Sequence, residues 1–227
     1  MKYYALLIVA LLASDAASQT HKPPVRDGDR SFGRQVLTWN EIKFANVVMQ
    51  QRDYSCGAAS MATVLRYYWG KDVTELDVLK AFERSLRPAA LKDRIENGLT
   101  MADMKVVADR MGYDAAVGKL DGVGKLRESK VPVIVTLQVE ADLSHFVVYR
   151  GSAFGWVYLA DPFLGNIRMC EHEFARKWIG NAVFVITLPE KTSSAVSRLG
   201  LRTEEILQAR LNNQVVRRTL TPSAGRN

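Results

Sequence analysis

A glutamine stands six residues before a cysteine in Gln50-Gln51-Arg52-Asp53-Tyr54-Ser55-Cys56-Gly57-Ala58-Ala59, and the cysteine opens a run of small residues. After Ser55, such a run reads as the start of a helix. The first N–H groups of a helix have no partner inside it and carry partial positive charge, a setting that favours thiolate over thiol. The Gln50 amide is then placed to share an oxyanion with the backbone N–H of Cys56. These residue types at this spacing suit a cysteine nucleophile. Gln50 is the first choice for the second donor, and Gln51, one step out of register, is the alternative.

A thiol nucleophile needs a base, and the base needs a group to orient it. The chain has three histidines. His21 lies in a polar N-terminal stretch and His172 in Cys-Glu-His-Glu, whereas His145 opens the apolar run Ser144-His145-Phe146-Val147-Val148. Asp161-Pro162 ends the next strand of the same expected hairpin. The end of one antiparallel strand lies beside the start of its neighbour, so Asp161 and His145 are expected to meet. Each also has a plainer reading, His145 as a satisfied core residue and Asp161 as a turn former. Cys56 and Cys170 are the two cysteines, and a disulfide between them is the structural alternative in an exported chain. Cys170-x-His172 has no second Cys/His pair nearby, so neither a metal nor another cofactor is expected.

The elements that would position these residues follow from periodicity and punctuation. A first helix runs from Cys56 to about Tyr68, with Ser55 as its cap and Gly70 as its end. Thr74 with Asp77 predicts a helix over 75–86, and Thr100 with Asp103 predicts another. In the latter, Met101, Met104, Val107, Ala108 and Met111 follow helical spacing and read as its buried face, closed by Gly112. The second half changes period. Val131 to Val139 reads as a buried strand, and His145–Arg150 with Trp156–Ala160 as a hairpin turning through Gly151 to Gly155. A short strand at Ile167–Cys170, a helix at Glu173–Ile179 and a last strand at Ala182–Leu188 complete the pattern. Helices first and an antiparallel sheet afterwards indicate an α+β domain.

At 227 residues, 48% apolar and 24% charged, the chain has the composition of a globular protein. Its net charge of +7 is spread along the sequence. With no Lys/Arg block interleaved with aromatics, nucleic acid is not an expected partner. Residues 1–18 read as an export signal: Lys2, an apolar run from Ala5 to Ala13, then the small residues Ala16-Ala17-Ser18. The run is too short to span a bilayer, and a periplasmic location is the expectation. Residues 19–43, with Pro23-Pro24 and Asp/Gly turns, read as a flexible lead-in. The tail, 190–227, is basic; residues 203–216 could form a helix with Leu207, Leu211 and Val215 on one side. That tail is either a helix packed on the domain or a partly disordered segment, or else a docking segment for a secretion-system protein or an anionic membrane surface.

The motifs Gln50-x5-Cys56-Gly57-Ala58-Ala59, Tyr67-Tyr68-x-Gly70, His145-Phe146-Val147-Val148 and Asp161-Pro162 together resemble those of the C39 family of bacteriocin-leader peptidases. The resemblance covers about residues 44–189. It implies a papain-like fold, with N-terminal helices packed on an antiparallel sheet. It also implies Cys56 as nucleophile, His145 as base, Asp161 as its orienter and Gln50 as oxyanion donor. The family cuts after a double glycine in leader peptides, often within an ATP-driven exporter. This chain carries neither transporter segment nor ATP-binding motif, and looks more like the free-standing exported type, one kind of which accompanies functional-amyloid (Fap) secretion. The resemblance thus implies an exported cysteine endopeptidase acting on a peptide or unfolded protein, such as a leader peptide or a secreted amyloid subunit. A non-cleaving substrate-binding chaperone, or a papain-like amidase or transglutaminase, is the alternative.

Overall fold

The computed structural model describes residues 25–27, 30–32, 38–140, 143–189 and 197–206. The stretch read as an export signal and most of the expected tail helix lie outside the described residues. The chain divides into two units, residues 1–39 and 40–227. In the first, β1 (Val25–Asp27) and β2 (Arg30–Phe32) pair as an antiparallel hairpin within the stretch expected as a lead-in. Helix α1 (Trp39–Phe44) begins at the boundary.

The second unit places α2 (Cys56–Tyr67), α3 (Glu75–Ser85), α4 (Pro88–Asn97) and α5 (Met101–Arg110) before the sheet. β3 (Asp114–Lys119), α6 (Val123–Arg127), β4 (Val133–Glu140), β5 (Leu143–Ala153) and β6 (Trp156–Asp161) follow. The unit continues through β7 (Gly165–Cys170), α7 (Glu171–Lys177) and β8 (Trp178–Thr187). The six strands β3 to β8 form one antiparallel sheet in the order β3-β8-β4-β5-β6-β7. Among the described residues, no helix is long and apolar enough to cross a membrane.

Both faces of the central strands are covered, which is why they read as continuous apolar runs. Ile134, Phe146, Val148 and Phe184 join Met61, Leu65, Phe82 and Met104 in one core beneath α2, α3 and α5. Val133, Val135, Val147 and Leu159 alternate with them and pack with Leu126 of α6, Phe174 of α7 and Trp178 in a second core. The two capping boxes form as their spacing predicts. Thr74 and Thr100 each accept from the backbone N–H three residues on, while Asp77 and Asp103 accept from the threonine N–H.

Several boundaries differ from expectation. The turn predicted across Gly151–Gly155 is narrower, because β5 continues to Ala153 and pairs there with Trp156. Gly151, at φ +149°, sits instead at a bulge where the β5–β6 register slips between Tyr149 and Gly151. The helix expected to reach Ile179 stops at Lys177, since Trp178 pairs with Leu137 and its indole Nε1–H donates to Ala182 O at 2.8 Å. α4 carries no buried residue and so leaves no apolar stripe to read, although Pro88 marks its first turn. β3 is a largely exposed edge strand whose Ala-Ala-Val-Gly run carries little β signal.

Thr100→Ala removes one capping-box acceptor, and is expected to lower unfolding stability by about 1 kcal/mol. Urea denaturation checks this; a midpoint equal to that of the parent chain would show that the cap is redundant.

Candidate active site

Helix α2 lies against β5 through small residues. Ala58, Ala59 and Ala62 are fully buried, and a Cβ at Gly57 would stand 3.3 Å from both Met104 Sδ and Phe146 Cδ2. Ser60 Oγ donates to Phe146 O at 3.2 Å, tying the helix to the strand one residue beyond His145. This close approach brings the first residue of α2, Cys56, to the start of β5. Cys56 is 8% exposed, and its thiol lies beside the His145 imidazole, close enough to help raise that ring's pKa.

Successive backbone groups hold the loop before α2. Val48 N–H donates to Thr63 Oγ1 at 3.0 Å, Gln50 N–H to Pro162 O at 2.8 Å and Gln51 N–H to Glu75 Oε1 at 3.0 Å. Ser55 departs from the expected role. Its φ of −98° and ψ of 9° are not those of an extended cap residue, and its side chain does not cap the helix. The hydroxyl instead closes the preceding turn, donating to Arg52 O at 2.7 Å and accepting from Arg52 N–H at 3.3 Å. Ser55 therefore leaves the start of α2 without the cap its own side chain could supply.

The Gln50 side chain points along this loop, with Nε2 donating to Arg52 O at 3.1 Å. An amide nitrogen carries two protons, so a second remains after this bond. Gln50 Oε1 is buried and has no hydrogen-bond partner among the described residues. Gln51 is held through its backbone by Glu75, and its side chain is exposed.

β5 and β6 are antiparallel, with Val148 opposite Ala160, so the start of β5 lies beside the end of β6. His145 Nε2 and Asp161 Oδ1 are 2.8 Å apart. The same carboxylate oxygen accepts the backbone N–H groups of Phe163 at 2.7 Å and Leu164 at 3.0 Å. Asp161 thus closes the β6–β7 turn and holds the imidazole with one oxygen. With Nε2 engaged by Asp161, Nδ1 is the ring nitrogen left for Cys56.

Burial of the His145 ring pulls its pKa down, but the hydrogen bonds to Asp161 and Cys56 and their negative charges outweigh it. The net effect pushes the imidazole up from 6.5 to about 9. Burial works against the Asp161 carboxylate as well, yet the His145 bond, the His145 charge and the Leu164 and Phe163 N–H groups hold it below its usual value. The pair is therefore set up as imidazolium and carboxylate at neutral pH, with the imidazolium facing the sulfur.

The structure brings Cys56, His145 and Asp161 together, with His145 bonded to Asp161 and lying beside Cys56, and sets Gln50 on the loop that leads into Cys56. His172 and Cys170 lie elsewhere. Cys170 pairs with Trp156 at the opposite end of β6 from Asp161, and both cysteines are free thiols. Among the described residues, no group of three or more His, Cys, Asp and Glu is arranged to hold a metal ion. The supporting role of Glu75 was not read from the sequence, because an acid beside the Thr74 cap looks like an ordinary first-turn residue. Its burial, at 6% exposure, is what distinguishes it.

The peptidase C39 family model matches residues 45–190. A probable functional amyloid protease, FapD, of Pseudomonas fluorescens is 32% identical over 180 residues, covering 79% of this chain and 77% of that protein. Its namesake in Pseudomonas aeruginosa is 32% identical over 182 residues, covering 80% of this chain and 77% of its own length. The peptidase domain of Streptococcus ComA, a bifunctional ABC transporter of a quorum-sensing pathway, shares the fold. It matches with a TM-score of 0.52 at 20% identity, covering 63% of this chain and 97% of its own. With helices laid on a six-stranded antiparallel sheet and most of its length matched by the family, this chain belongs to the peptidase C39 family and is a cysteine peptidase of papain-like fold.

Proposed function

We propose that this protein is an exported endopeptidase that cuts a peptide or unfolded secreted protein through Cys56, His145, Asp161 and Gln50. The observation that carries the reading is the His145–Asp161 pair at 2.8 Å beside Cys56, built from the start of a helix and the facing ends of two adjacent strands. In this mechanism the Cys56 thiolate attacks a peptide carbonyl carbon. The resulting oxyanion accepts hydrogen bonds from the backbone N–H of Cys56 and the second Nε2 proton of Gln50. The His145 imidazolium gives its proton to the departing amine as the C–N bond breaks, leaving a thioester. Neutral His145 then takes a proton from water, the hydroxide attacks the thioester, and the carboxylic acid product leaves as the sulfur returns to thiolate. Asp161 keeps the ring oriented and stabilises its charged form through both halves.

The proposed substrate class is supported by relatives named as probable functional amyloid proteases. A secreted amyloid subunit or its leader is the proposed target, and the signal-like residues 1–18 would put the enzyme in the periplasm beside it. The basic C-terminal tail is the proposed docking segment for a secretion-system protein.

Incubating the purified protein with an unfolded co-secreted amyloid subunit tests the reading. Cys56→Ala is expected to reduce cleavage by a factor on the order of 10⁶, the cost of losing the nucleophile of such a constellation. Binding and biological effect that survive Cys56→Ala unchanged would establish a non-cleaving module instead. Transfer of the acyl group to an added amine in preference to water would establish a transferase.

The pH dependence has a defined sign. The His145 proton is needed on the leaving amine, so kcat/KM is expected to fall as pH rises through about 9. Asp161→Asn weakens the bond and removes the charge that raise this pKa, leaving the opposing effect of burial, so the alkaline limb should move to lower pH. Independently of substrate, the same His145 titration is expected as an inflection in the rate of Cys56 alkylation by iodoacetamide, because the thiolate gains nucleophilicity when its imidazolium neighbour loses its proton. An alkaline limb that stays in place in Asp161→Asn would count against the assigned role of Asp161.

A further inference from the structure

The family match ends at residue 190, yet residues 197–206 are built into the same unit. Leu199 is 1% exposed and belongs to the core beneath α2. Arg198 N–H donates to Tyr67 O at the end of α2, and Asn46 Nδ2 donates to Arg198 O at 2.9 Å. Leu201 sits over the β5 bulge, where a Cβ on Gly151 would stand 3.1 Å from Leu201 Cδ1. The bulge glycine leaves room for this segment.

Arg150 joins the segment to the sheet. Its side chain is 3% exposed, and its five N–H protons meet five acceptors. Nε donates to Leu199 O at 2.9 Å and Nη2 to Gly200 O at 3.1 Å. The Glu205 carboxylate takes Nη1 at 2.8 Å and Nη2 at 2.9 Å in a two-pronged pair. The fifth acceptor is Asn166 Oδ1, which takes Nη1 at 2.7 Å.

That last bond reaches toward the catalytic end. Because Asn166 Oδ1 accepts from Arg150, its Nδ2 must face the other way, and it donates to Ile42 O at 3.1 Å and Ala45 O at 2.8 Å. These carbonyls lie at and just beyond the end of α1, on the segment leading to Gln50. Arg202 Nη2 reaches the same Ile42 O at 3.4 Å. Next to Asn166, Gly165 pairs with Asp161 and packs so tightly on α1 that a Cβ would stand 2.5 Å from Lys43 O. The Asp161 turn in turn holds Gln50 N–H through Pro162 O.

We infer that residues 197–206 are a strap that sets the geometry of the catalytic site. Glu205 is a positioning residue that acts through Arg150 and Asn166 on the two backbone segments carrying Gln50 and Asp161. A buried guanidinium left without its carboxylate is strongly unfavourable, so Arg150 orients the Asn166 amide only while the strap is seated. The peptidase is then longer than its family match, and its competence depends on a segment outside that match. The inference rests on the proposed roles of Gln50 and Asp161.

Glu205→Gln and Asn166→Asp, each in the full chain, test it. Asn166→Asp improves the partner for Arg150 but sets a carboxylate against Ile42 O and Ala45 O. It therefore keeps the strap seated while breaking its link to α1. Both variants are expected to lose kcat on an unfolded peptide by on the order of tenfold or more, as small misplacements of catalytic groups do. The alkaline inflection of Cys56 alkylation, which reports His145, is expected to move below about 9 in both. Parental kcat and an unmoved alkylation limb, with only a lowered melting temperature, would overturn the strap. If the parent chain shows no Cys56-dependent cleavage but the alkylation limb still moves in both variants, the strap stands and the peptidase reading falls.

Discussion

Helix α2 and strand β5 meet with little side-chain bulk between them, and the site depends on that approach. Gly57, Ala58, Ala59 and Ala62 keep the helix low on the sheet, and Ser60 bonds the backbone of Phe146. Larger residues at these positions would lift the start of α2 and separate Cys56 from His145. Close packing has a local conformational cost, since glycine in a helix is less favourable than alanine by about 1 kcal/mol. The gain is a thiol and an imidazole set in register by backbone elements rather than by flexible side chains.

Asp161 couples this interface to the neighbouring strand. A carboxylate at 4% exposure would be costly if left alone. Two backbone N–H groups of its own turn and the His145 ring converge on one of its oxygens, and so keep it ionised. The same bonds fix the turn, whose Pro162 carbonyl then holds Gln50 N–H. One side chain therefore orients the imidazole, shapes the turn and positions the loop on the far side of Cys56. Glu75 does similar work from α3 by accepting Gln51 N–H. The result is a loop held at several backbone groups while the Ser55 side chain leaves the start of α2 uncapped.

The domain extends past the family's sequence signature for a related reason. Polar groups at the end of α1 and at the C-terminal carbonyl of α2 need partners when buried. Asn166 and the backbone of residues 197–206 supply them, and Arg150 binds these partners together. A sequence family is delimited by shared local patterns, whereas a folded unit is delimited by where its buried polar groups are satisfied.

The antiparallel α+β architecture and the capped helices were legible in the sequence because the signals were local: Thr74 with Asp77, Thr100 with Asp103, the methionine spacing of α5 and the β-branched run of β4. The segments that failed to announce themselves, α4 and β3, bury too little to imprint a period. Gly151 was read as a turn because a bulge leaves the same local mark, and only its packing on Leu201 separates the two. Ser55 carried the chemistry of a cap, but its hydroxyl was taken by the turn at Arg52. By itself, the sequence determined which residue types could serve as nucleophile, base and anion stabiliser and on which elements they sit. Distances between those elements, the choice of Nε2 for Asp161, and the tie from Glu205 through Arg150 to α1 were decided only by tertiary structure. They link residues up to 163 positions apart, from Ile42 to Glu205, and no local pattern constrains such pairs.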